Sequence, residues 1–407
     1  MGIIVQKFGG TSVGDPEKIK RVAGRVIAAQ AAGHDVVVVV SAMGKTTDEL
    51  IRLSKEINPS PTDREMDALL ATGEKVSAAL LAMAIHAQGV KSVSLTGEQA
   101  GVFTEAAHSK AKILDINPER IKNELDNDHI VIVTGFQGIN ENQDITTIGR
   151  GGSDTSAVAI AAALKADYCE IFTDVDGVYT TDPREVKNAR KLDVVSYEEM
   201  LELASLGAGV LHPRAVETAQ FHNLAIHVRS SFNNNEGTFV KEVKAMERKR
   251  AVTGVAHDED VAKITVFGVP DKPGTAATLF SKLGEAKINV DMIVQSSHQQ
   301  KDANDIAFTV PRVDMEKAVT IAELVVKEAG AVEVRSAADV AKVSIVGVGM
   351  ISTPGVAAKM FTTLGEAGIN IDMISTSEIK VSCIVAEQDV KKAVQTVHDA
   401  FDLGAPQ

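Results

Sequence analysis

The sequence predicts an α/β protein, in which a mainly parallel β-sheet sandwiched by helices is followed by a duplicated, smaller α/β unit. Three observations predict this fold. Short β-branched runs alternate with longer helical patterns from residue 1 to about 230, a turn-rich and charged stretch follows at 233–250, and one segment then occurs twice. Alternating strands and helices are typical of parallel sheets whose two faces are covered by helices.

The strands of the first half are short apolar runs separated by helical patterns. The run from Val36 to Val40 consists of valine alone, as expected for a parallel strand that is buried on both faces. Ligands of such sheets bind beyond the carboxyl ends of the strands, so the polar segments that follow the strands form the candidate site. The expected strands are Ile3–Val5, Val36–Val40, Val93–Leu95, Ile130–Val133, Glu170–Thr173 and Ala225–Val228.

The second half contains an internal repeat. The segment from Pro273 to Ile293 recurs from Pro354 to Ile374 with a constant offset of 81 residues (354 − 273). Each copy has a strand, a Pro-Gly turn, a helix and a second strand. Two copies are too few for a solenoid, so we expect two sister domains that pack as a pseudo-symmetric pair with a small-ligand site between them. The expected division is 1–245, a linker at 246–262, and the repeats at 263–338 and 339–407.

Composition excludes several classes of partner. The chain has 55 acidic and 42 basic residues, a net charge of −13, which repels nucleic acid and anionic membranes. Cys169 and Cys383 lie in apolar, strand-like segments and are expected to be buried thiols in a reducing compartment. Neither a leader pattern nor a run of about 18 apolar residues occurs, so a cytoplasmic protein is expected.

Lys7, Phe8, Gly9 and Gly10 follow the first strand and form the first candidate phosphate site. Two glycines and a cation before a helical pattern allow backbone N–H groups and an ammonium to meet a phosphate. The segment is neither the G-x-G-x-x-G dinucleotide motif nor a P-loop. A tight turn with a solvated Lys7 is the alternative.

The segment 149–156 carries the most informative cluster of polar residues. Arg150 is suited to bidentate carboxylate binding, and Asp154 in the first turn of a helix either holds Mg²⁺ or orients reacting groups. The alternative is a capped helix with an acidic residue at its positive end. Gly151, Gly152 and Ser153 lie between these side chains.

Further candidate residues have weaker support from the sequence. The segment 173–184 mixes hydroxyl, carboxylate, Tyr and Arg side chains and either frames a nucleotide or is a well-capped loop. Glu74 lies in a helical pattern and is expected to be a solvated face residue unless it pairs with a substrate ammonium. His212 is expected to be structural, because neither Cys nor another His is spaced to complete a metal site with it.

Five motifs in order resemble aspartate kinases of the amino-acid kinase family. They are KFGGTS at 7–12, VSAMG at 40–44, GRGGSD at 149–154, FTDVDGVYTTDPR at 172–184 and LHPR at 211–214. The repeats resemble tandem ACT domains, and SEIK at 377–380 matches the version found in aspartate kinases. The resemblance covers essentially the whole chain and implies a carbamate kinase-like first domain followed by two ferredoxin-like α+β domains.

The resemblance implies that ATP, with Mg²⁺, phosphorylates the side-chain carboxylate of L-aspartate, the first step towards lysine, threonine, methionine and diaminopimelate. Lys7 then neutralises the transferring phosphoryl group and Asp154 organises the catalytic groups. Glu74 pairs with the α-ammonium of aspartate and Arg150 with its α-carboxylate. The other implied substrate residues are Ser41, Thr47, Gly151, Gly152 and Ser153. The implied nucleotide residues are Lys7, Phe8, Gly9, Gly10, Ser41, Thr173, Asp174, Tyr179, Asp182 and Arg184.

Regulation by lysine, threonine or both is also implied by the resemblance, together with homo-oligomers formed through the ACT domains and a shorter regulatory chain that starts near Met246. Where some aspartate kinases have a basic nucleotide contact, this chain has Gly209, and Arg214 is the candidate replacement. The alternatives are a glutamate or N-acetylglutamate kinase and a non-catalytic amino-acid sensor. The implied effector contacts are Asp271, Pro273, Gly274, Asn289, Val290, Asp291, Gln295, Asn370 and Ile371.

Overall fold

The computed structural model describes residues 2–207, 209–243, 250–298 and 303–405. The chain divides into two units, and the division is not contiguous in sequence. Residues 179–190 pack with the second unit, where the Val255 N–H donates to the Thr180 carbonyl at 2.7 Å. The first unit comprises Met1–Val178, Lys191–Ser205 and Gly209–Ala245, and the second comprises Tyr179–Arg190, Leu206–Ala208 and Met246–Gln407.

The first unit is built on an eight-stranded sheet. Its strands are β1 (Ile3–Phe8), β2 (Asp35–Val40), β3 (Ser92–Leu95), β6 (Ile130–Thr134), β9 (Tyr168–Thr173), β10 (Val194–Val195), β11 (Ile226–Ser230) and β12 (Thr238–Val240). They are arranged in the order β10-β12-β11-β9-β1-β2-β6-β3, and neighbouring strands are parallel except β11 and β12. A smaller sheet contains β4 (Val102–Thr104), β5 (Ile113–Ile116), β7 (Gln137–Ile139) and β8 (Ile145–Thr147) in the order β5-β4-β7-β8.

Several helices of the first unit bury an apolar face. The first helix begins at Pro16, where the Asp15 side chain accepts from the Lys18 N–H at 2.9 Å, and it buries Ile19, Val22 and Val26. The helices are α1 (Pro16–Ala31), α2 (Thr46–Ile57), α3 (Asp63–Leu70), α4 (Thr72–His86), α5 (Glu119–Leu125), α6 (Gly152–Leu164), α7 (Tyr197–Ser205) and α8 (Pro213–His222).

The structure confirms the six expected strands of the first half and corrects two details. The last of them begins at Ile226, not at Ala225. The stretch 233–250, expected to be a boundary, contains β12, because Thr238 pairs with Val228 of β11 and its hydroxyl donates to the Leu192 carbonyl at 2.5 Å. Both cysteines are buried and free, as expected.

The second unit contains two four-stranded sheets, each covered by two helices from one repeat. The first sheet contains β14 (Ala262–Pro270), β15 (Ile293–His298), β16 (Ala303–Val310) and β17 (Glu333–Ala337), with α9 (Thr275–Glu285) and α10 (Met315–Ala329). The second contains β13 (Gly254–Asp258), β18 (Val340–Val346), β19 (Met373–Thr376) and β20 (Lys380–Ala386), with α11 (Val356–Glu366) and α12 (Val390–Ala400).

Strand β13 is the main departure from the expected organisation of the repeats. The strand orders are β15-β16-β14-β17 and β13-β18-β20-β19, so β13 occupies the position in the second sheet that β17 occupies in the first. Over the described residues, the second repeat supplies three strands and β13 pairs antiparallel with β18 as the fourth. Residues 254–258, expected to be linker, are therefore part of the second sheet.

The two repeats pack through residues that are equivalent in sequence. Val261 lies directly before β14, and its counterpart Val340 begins β18. Met292 lies directly before β15, and its counterpart Met373 begins β19. All four are buried in one hydrophobic cluster with Ile384. This arrangement matches the expected pseudo-symmetric pair of sister domains.

One helical stretch of the first unit, Asp63–His86, is long and apolar enough to cross a membrane by length and composition alone. Half of its most apolar part is buried inside the protein, and the core helix of a folded domain passes the same test of length and composition. The stretch also buries two carboxylates, Asp67 and Glu74, against polar partners.

Candidate active site

Four parallel strands of the first unit end side by side, and backbone hydrogen bonds join the segments that follow them. The Ser41 N–H donates to the Phe8 carbonyl at 3.1 Å, the Gly135 N–H to the Val40 carbonyl at 3.0 Å, and the Gly9 N–H to the Phe172 carbonyl at 3.3 Å. The ends of β1, β2, β6 and β9 thus gather the glycine-rich and polar segments at one edge of the sheet, where ligands of such sheets bind.

A buried ion pair lies at this edge. Lys7 on β1 reaches Asp154 in the first turn of α6, with Nζ 2.5 Å from Oδ1, and the two side chains are only 10% and 12% exposed. The helix N-terminus stabilises the Asp154 carboxylate through its unpaired N–H groups. An ammonium held in this way near a sheet edge is placed to meet an anionic ligand.

From its place in a helical pattern alone, Glu74 is expected to be exposed to solvent, but the structure buries it. Its side chain is buried on α4, where Oε1 accepts from the Ala42 N–H at 3.1 Å. Its Oε2 has no hydrogen-bond partner among the described residues. Burial raises the pKa of Glu74 from its usual 4.5 to about 7. A buried carboxylate oxygen without a partner is suited to bind a ligand ammonium.

Three serines connect this carboxylate region with α6. The Ser41 hydroxyl donates to the Ser153 hydroxyl at 2.9 Å, and the Ser77 hydroxyl donates to the Ser41 carbonyl at 2.7 Å. Glycine is required at 135, because a Cβ there would lie 2.8 Å from the Ser153 Cβ. Thr47 lies half-buried on α2 in the same unit.

The loop before α6 carries Arg150 between two glycines with left-handed backbone, Gly149 at φ +84 and Gly151 at φ +68. Arg150 itself is exposed. A Cβ at position 151 would overlap the ring of His212. His212 has the structural role expected of it, because its Nδ1 accepts from the Arg214 N–H at the start of α8, and burial lowers its pKa.

The residues expected to hold nucleotide fall into two groups. Lys7, Phe8, Gly9 and Gly10 lie at the end of β1, where the Phe8 ring stacks on Phe172 in the core with centroids 4.7 Å apart. Phe8 therefore contributes through its backbone only. Thr173 and Asp174 follow β9, and the Thr173 hydroxyl donates to the Asp174 carboxylate at 3.1 Å.

The second group lies in the 179–190 segment of the second unit and comprises Tyr179, Asp182 and Arg184. Arg184 bonds the Asp182 carboxylate at 2.6 Å and thereby lowers its pKa. Arg214, the candidate substitute for the missing basic contact at Gly209, donates instead to the Ile148 and Ala111 carbonyls at 2.8 and 3.2 Å. Its guanidinium is engaged in holding backbone.

The expected effector residues lie in the second unit on matching turns of the two repeats. Gly274, at φ +100, is the N-cap residue of α9, as Gly355, at φ +87, is the N-cap residue of α11. Asp291 pairs with Lys342 of the other repeat at 2.5 Å. The remaining expected contacts are Asp271, Pro273, Asn289, Val290 and Gln295 in the first repeat and Asn370 and Ile371 in the second, of which Val290 and Ile371 are half-buried and the others exposed.

Three groups of polar residues were missed at the level of sequence. Asp67 on α3 is fully buried, and Glu170 on β9 bonds Gln6 and Arg229 at 2.7 and 2.8 Å. The third group could hold a metal ion in the second unit, where one ligand atom each of Glu185, His257 and Glu259 lies within 4.8 Å of the others. Nothing local marks Asp67 or Glu170, because their partners are distant in sequence, and only the fold brings Glu185 to His257 and Glu259.

The fold and the site define an amino-acid kinase, an α/β unit followed by two ferredoxin-like domains. The amino acid kinase family matches residues 2–230, and the ACT domain family matches residues 264–323 and 343–401. Aspartokinase 2 of Bacillus subtilis (strain 168) is 53% identical over 403 residues, which span 99% of this chain and 98% of that protein. The aspartokinase of Thermus thermophilus is 50% identical over 404 residues, 99% of both chains.

Solved structures agree with the sequence matches. Escherichia coli aspartokinase III in complex with aspartate and ADP, the R-state, is 25% identical, with a TM-score of 0.81 over 98% of this chain and 100% of that one. The same enzyme in complex with lysine and aspartate, the T-state, has a TM-score of 0.76 at 25% identity and covers 98% and 99% of the two chains. The chain belongs to the aspartokinases of the amino acid kinase family.

Proposed function

We propose that this protein transfers the γ-phosphoryl group of ATP to the β-carboxylate of L-aspartate, giving ADP and 4-phospho-L-aspartate. The buried Lys7–Asp154 pair at the sheet edge carries the proposal, because it supplies a fixed cation where a transferring phosphoryl group would gain charge. The structural relative from E. coli was solved with aspartate and ADP.

The carboxylate nucleophile is already ionised at neutral pH, so the reaction needs no general base. Catalysis then consists of positioning and charge neutralisation. Lys7 neutralises the phosphoryl oxygens, and Asp154 holds the Lys7 ammonium in place from the first turn of α6. The nucleotide phosphates lie against the backbone of Gly9 and Gly10, where a side chain at 10 would come within 2.7 Å of the Ala42 carbonyl.

Aspartate is recognised through its α-ammonium and α-carboxylate. Glu74 Oε2 receives the ammonium, because it is a buried acceptor without another partner among the described residues. Arg150 holds the α-carboxylate through its planar guanidinium. Ser41 and Ser153, which share a hydrogen bond, line the space between these charges, and Thr47 completes the pocket.

The residues of the site fit a metal ion that arrives with the nucleotide. Mg²⁺ usually keeps several waters and binds one or two carboxylates plus substrate phosphates. Oδ1 of Asp154 lies 2.5 Å from the Lys7 ammonium, and this carboxylate would hold the metal or one of its waters. When bound, Mg²⁺ would neutralise phosphate charge beside Lys7.

Lysine, threonine or both inhibit the enzyme through the paired ACT domains. The E. coli relative was solved in a lysine-bound T-state, and Asp291 lies at the boundary between the two repeats, where a small amino acid can contact both. Inhibition requires that the effector bind an inactive arrangement more tightly than the active one.

The assembly is a homo-oligomer formed through the ACT domains in the cytoplasm. Ile293 on β15 and Ile374 on β19 occupy equivalent edge strands and are 51% and 41% exposed, which suits pairing with another copy. The internal start at Met246 lies outside the described residues and stays a prediction. The domain boundaries also stay predictions, except that residues 254–258 form a strand and are not linker.

The decisive assay measures ADP release with ATP, Mg²⁺ and either L-aspartate or L-glutamate, repeated with lysine, threonine and both. Turnover is expected with aspartate only and is expected to be suppressed by at least one effector condition. Turnover with glutamate but not with aspartate would show that glutamate is the substrate. ATP binding without turnover on either amino acid would indicate a sensor.

A further inference from the structure

Asp67 is a carboxylate in the catalytic unit that the proposed mechanism does not use, and it is fully buried on α3. Taking an ionised carboxylate out of water is costly unless several donors bind it. Such a residue therefore has a role that depends on its partners.

The partners of Asp67 come from two distant segments. The Thr147 hydroxyl donates to Oδ1 at 2.5 Å, and the Ser109 N–H donates to both oxygens at 3.1 and 3.0 Å. His108 Nδ1 lies 2.9 Å from Oδ2, and the carboxylate favours the tautomer that carries the proton there. Ser109 has left-handed backbone, φ +68, a conformation that these bonds stabilise. We call these four residues the Asp67 clamp.

Arg214 binds the same two segments through their backbone. Its guanidinium donates to the Ile148 carbonyl at 2.8 Å and to the Ala111 carbonyl at 3.2 Å. Between these contacts, the Ala111 N–H donates to the Thr147 carbonyl at 3.0 Å. The segment 108–111 and the end of β8 are thus fixed to each other by Asp67, Arg214 and a backbone bond.

The clamped backbone leads directly to the Arg150 loop. Thr147 and Ile148 are held by the contacts above, and Gly149 alone separates them from Arg150. Gly149 is confined as well, because a Cβ there would lie 3.0 Å from the Ser109 carbonyl. The position of the Arg150 backbone is therefore set by residues that are themselves bonded to Asp67 or Arg214.

We propose that Asp67 is a positioning residue for aspartate binding, which acts through Thr147 and Ser109 to hold the Arg150 loop. The proposal rests on the proposed function, in which Arg150 binds the α-carboxylate of aspartate. Loss of the clamp loosens Arg150 and weakens aspartate binding. The nucleotide side of the site, built on β1 and β9, keeps its contacts.

The test compares Asp67→Asn with Asp63→Asn, which removes an exposed carboxylate from the same helix. In Asp67→Asn an amide N–H₂ group faces N–H and O–H donors, so at least one charge-assisted hydrogen bond is lost. We expect KM for aspartate to rise about tenfold or more, with KM for ATP within about twofold of wild type. Asp63→Asn should match wild type in both.

A general loss of stability would give a different result, because a smaller folded fraction lowers kcat and leaves both KM values unchanged. That outcome for Asp67→Asn, or an unchanged aspartate KM in a fully folded variant, would overturn the proposal. A wild-type protein without aspartate-dependent ADP release would instead refute the proposed function itself.

If Asp67→Asn fails to fold, the pair Thr147→Val and Thr147→Ser decides the question. Valine has the shape of threonine but lacks the hydroxyl that reaches Asp67, whereas serine retains it. Thr147→Val should raise the aspartate KM and Thr147→Ser should restore it towards wild type. Equal aspartate KM values for the two variants would contradict the role of the clamp.

Discussion

Glu74 gives the sharpest prediction, because its ionisation should control aspartate affinity within the range where enzymes are assayed. With a pKa of about 7 in the free protein, about a tenth of Glu74 is ionised at pH 6 and about nine tenths at pH 8. In the proposed site, only the ionised form binds the ammonium of aspartate. We therefore expect kcat/KM for aspartate, which reports the enzyme before aspartate binds, to rise about tenfold from pH 6 to pH 8.

Glu74→Gln is the matched perturbation, since it retains an oxygen for the Ala42 N–H and removes only the titratable charge. The variant should have a lower kcat/KM at pH 8 and no rise between pH 6 and pH 8. The measurement is kcat/KM for aspartate at half-unit pH steps, with ATP saturating. The same tenfold rise in the variant would refute the assignment of the titration to Glu74.

The same residue predicts a pH dependence of stability. The folded pKa lies above the usual 4.5, so the folded protein binds more protons than the unfolded chain between these values. The contribution of Glu74 to stability is complete below pH 4.5 and is lost as pH rises through 7, a change of about 3 kcal/mol. The melting temperature of Glu74→Gln minus that of wild type should therefore increase from pH 5 to pH 8. A difference that stays constant over this range would contradict the argument that burial raises the pKa of Glu74.

Two further predictions concern buried lysines. Lys7→Met should lower kcat by about 10² to 10³ while the melting temperature shows a folded protein, whereas the exposed Lys20→Met should leave kcat unchanged; near-normal turnover would remove Lys7 from the mechanism. Lys342→Met frees the Asp291 carboxylate, so half-inhibition by lysine or threonine should require a concentration about tenfold lower with unchanged activity in the absence of effector. Exposed Lys327→Met is the control, and an unchanged inhibition curve would show that Lys342 does not compete with the effector.

The strands of the first half could be predicted because each is a local apolar run with no competing helical pattern. Val36–Val40 is the simplest case, and all five valines are buried. Strand β12 could not be predicted, because its three residues stand among turn formers and become a strand only by pairing with β10 and β11. Strand β13 was missed for the same reason, since its partner β18 begins more than eighty residues later in the chain.

The sequence singles out candidate site residues where polar groups are concentrated in a motif, and it misses residues whose roles depend on tertiary partners. Lys7 and Asp154 stand out as charges beside glycines at element ends, and the fold brings them to 2.5 Å. Asp67 resembles any acidic residue of an amphipathic helix, because its partners His108 and Thr147 lie 41 and 80 residues away. Glu74 needed the fold to show that its side chain points into the protein.

The ion pairs between the two repeats could not be found by comparing the two copies at a single sequence offset. Lys263 and Lys342 both follow a Val-Ala pair and are offset by 79 residues, whereas Asp291 and Asp372 are offset by 81, so the two pairs do not align in one register. In the fold, Lys263 bonds Asp372 at 2.7 Å and Lys342 bonds Asp291 at 2.5 Å, each lysine reaching the other repeat.

Because each lysine pairs with an aspartate of the other repeat, the boundary between the repeats contains two equivalent ion pairs. An amino-acid effector that places its ammonium on Asp291 must displace Lys342, and the same competition exists at Asp372 with Lys263. Asp291 and Asp372 are each 45% exposed, so both carboxylates are open to a ligand. The lysines differ, because Lys342 is 5% exposed and also lies 3.7 Å from Asp258, while Lys263 is 18% exposed. The more buried lysine is harder to displace, so the two equivalent positions should differ in effector affinity despite their shared sequence.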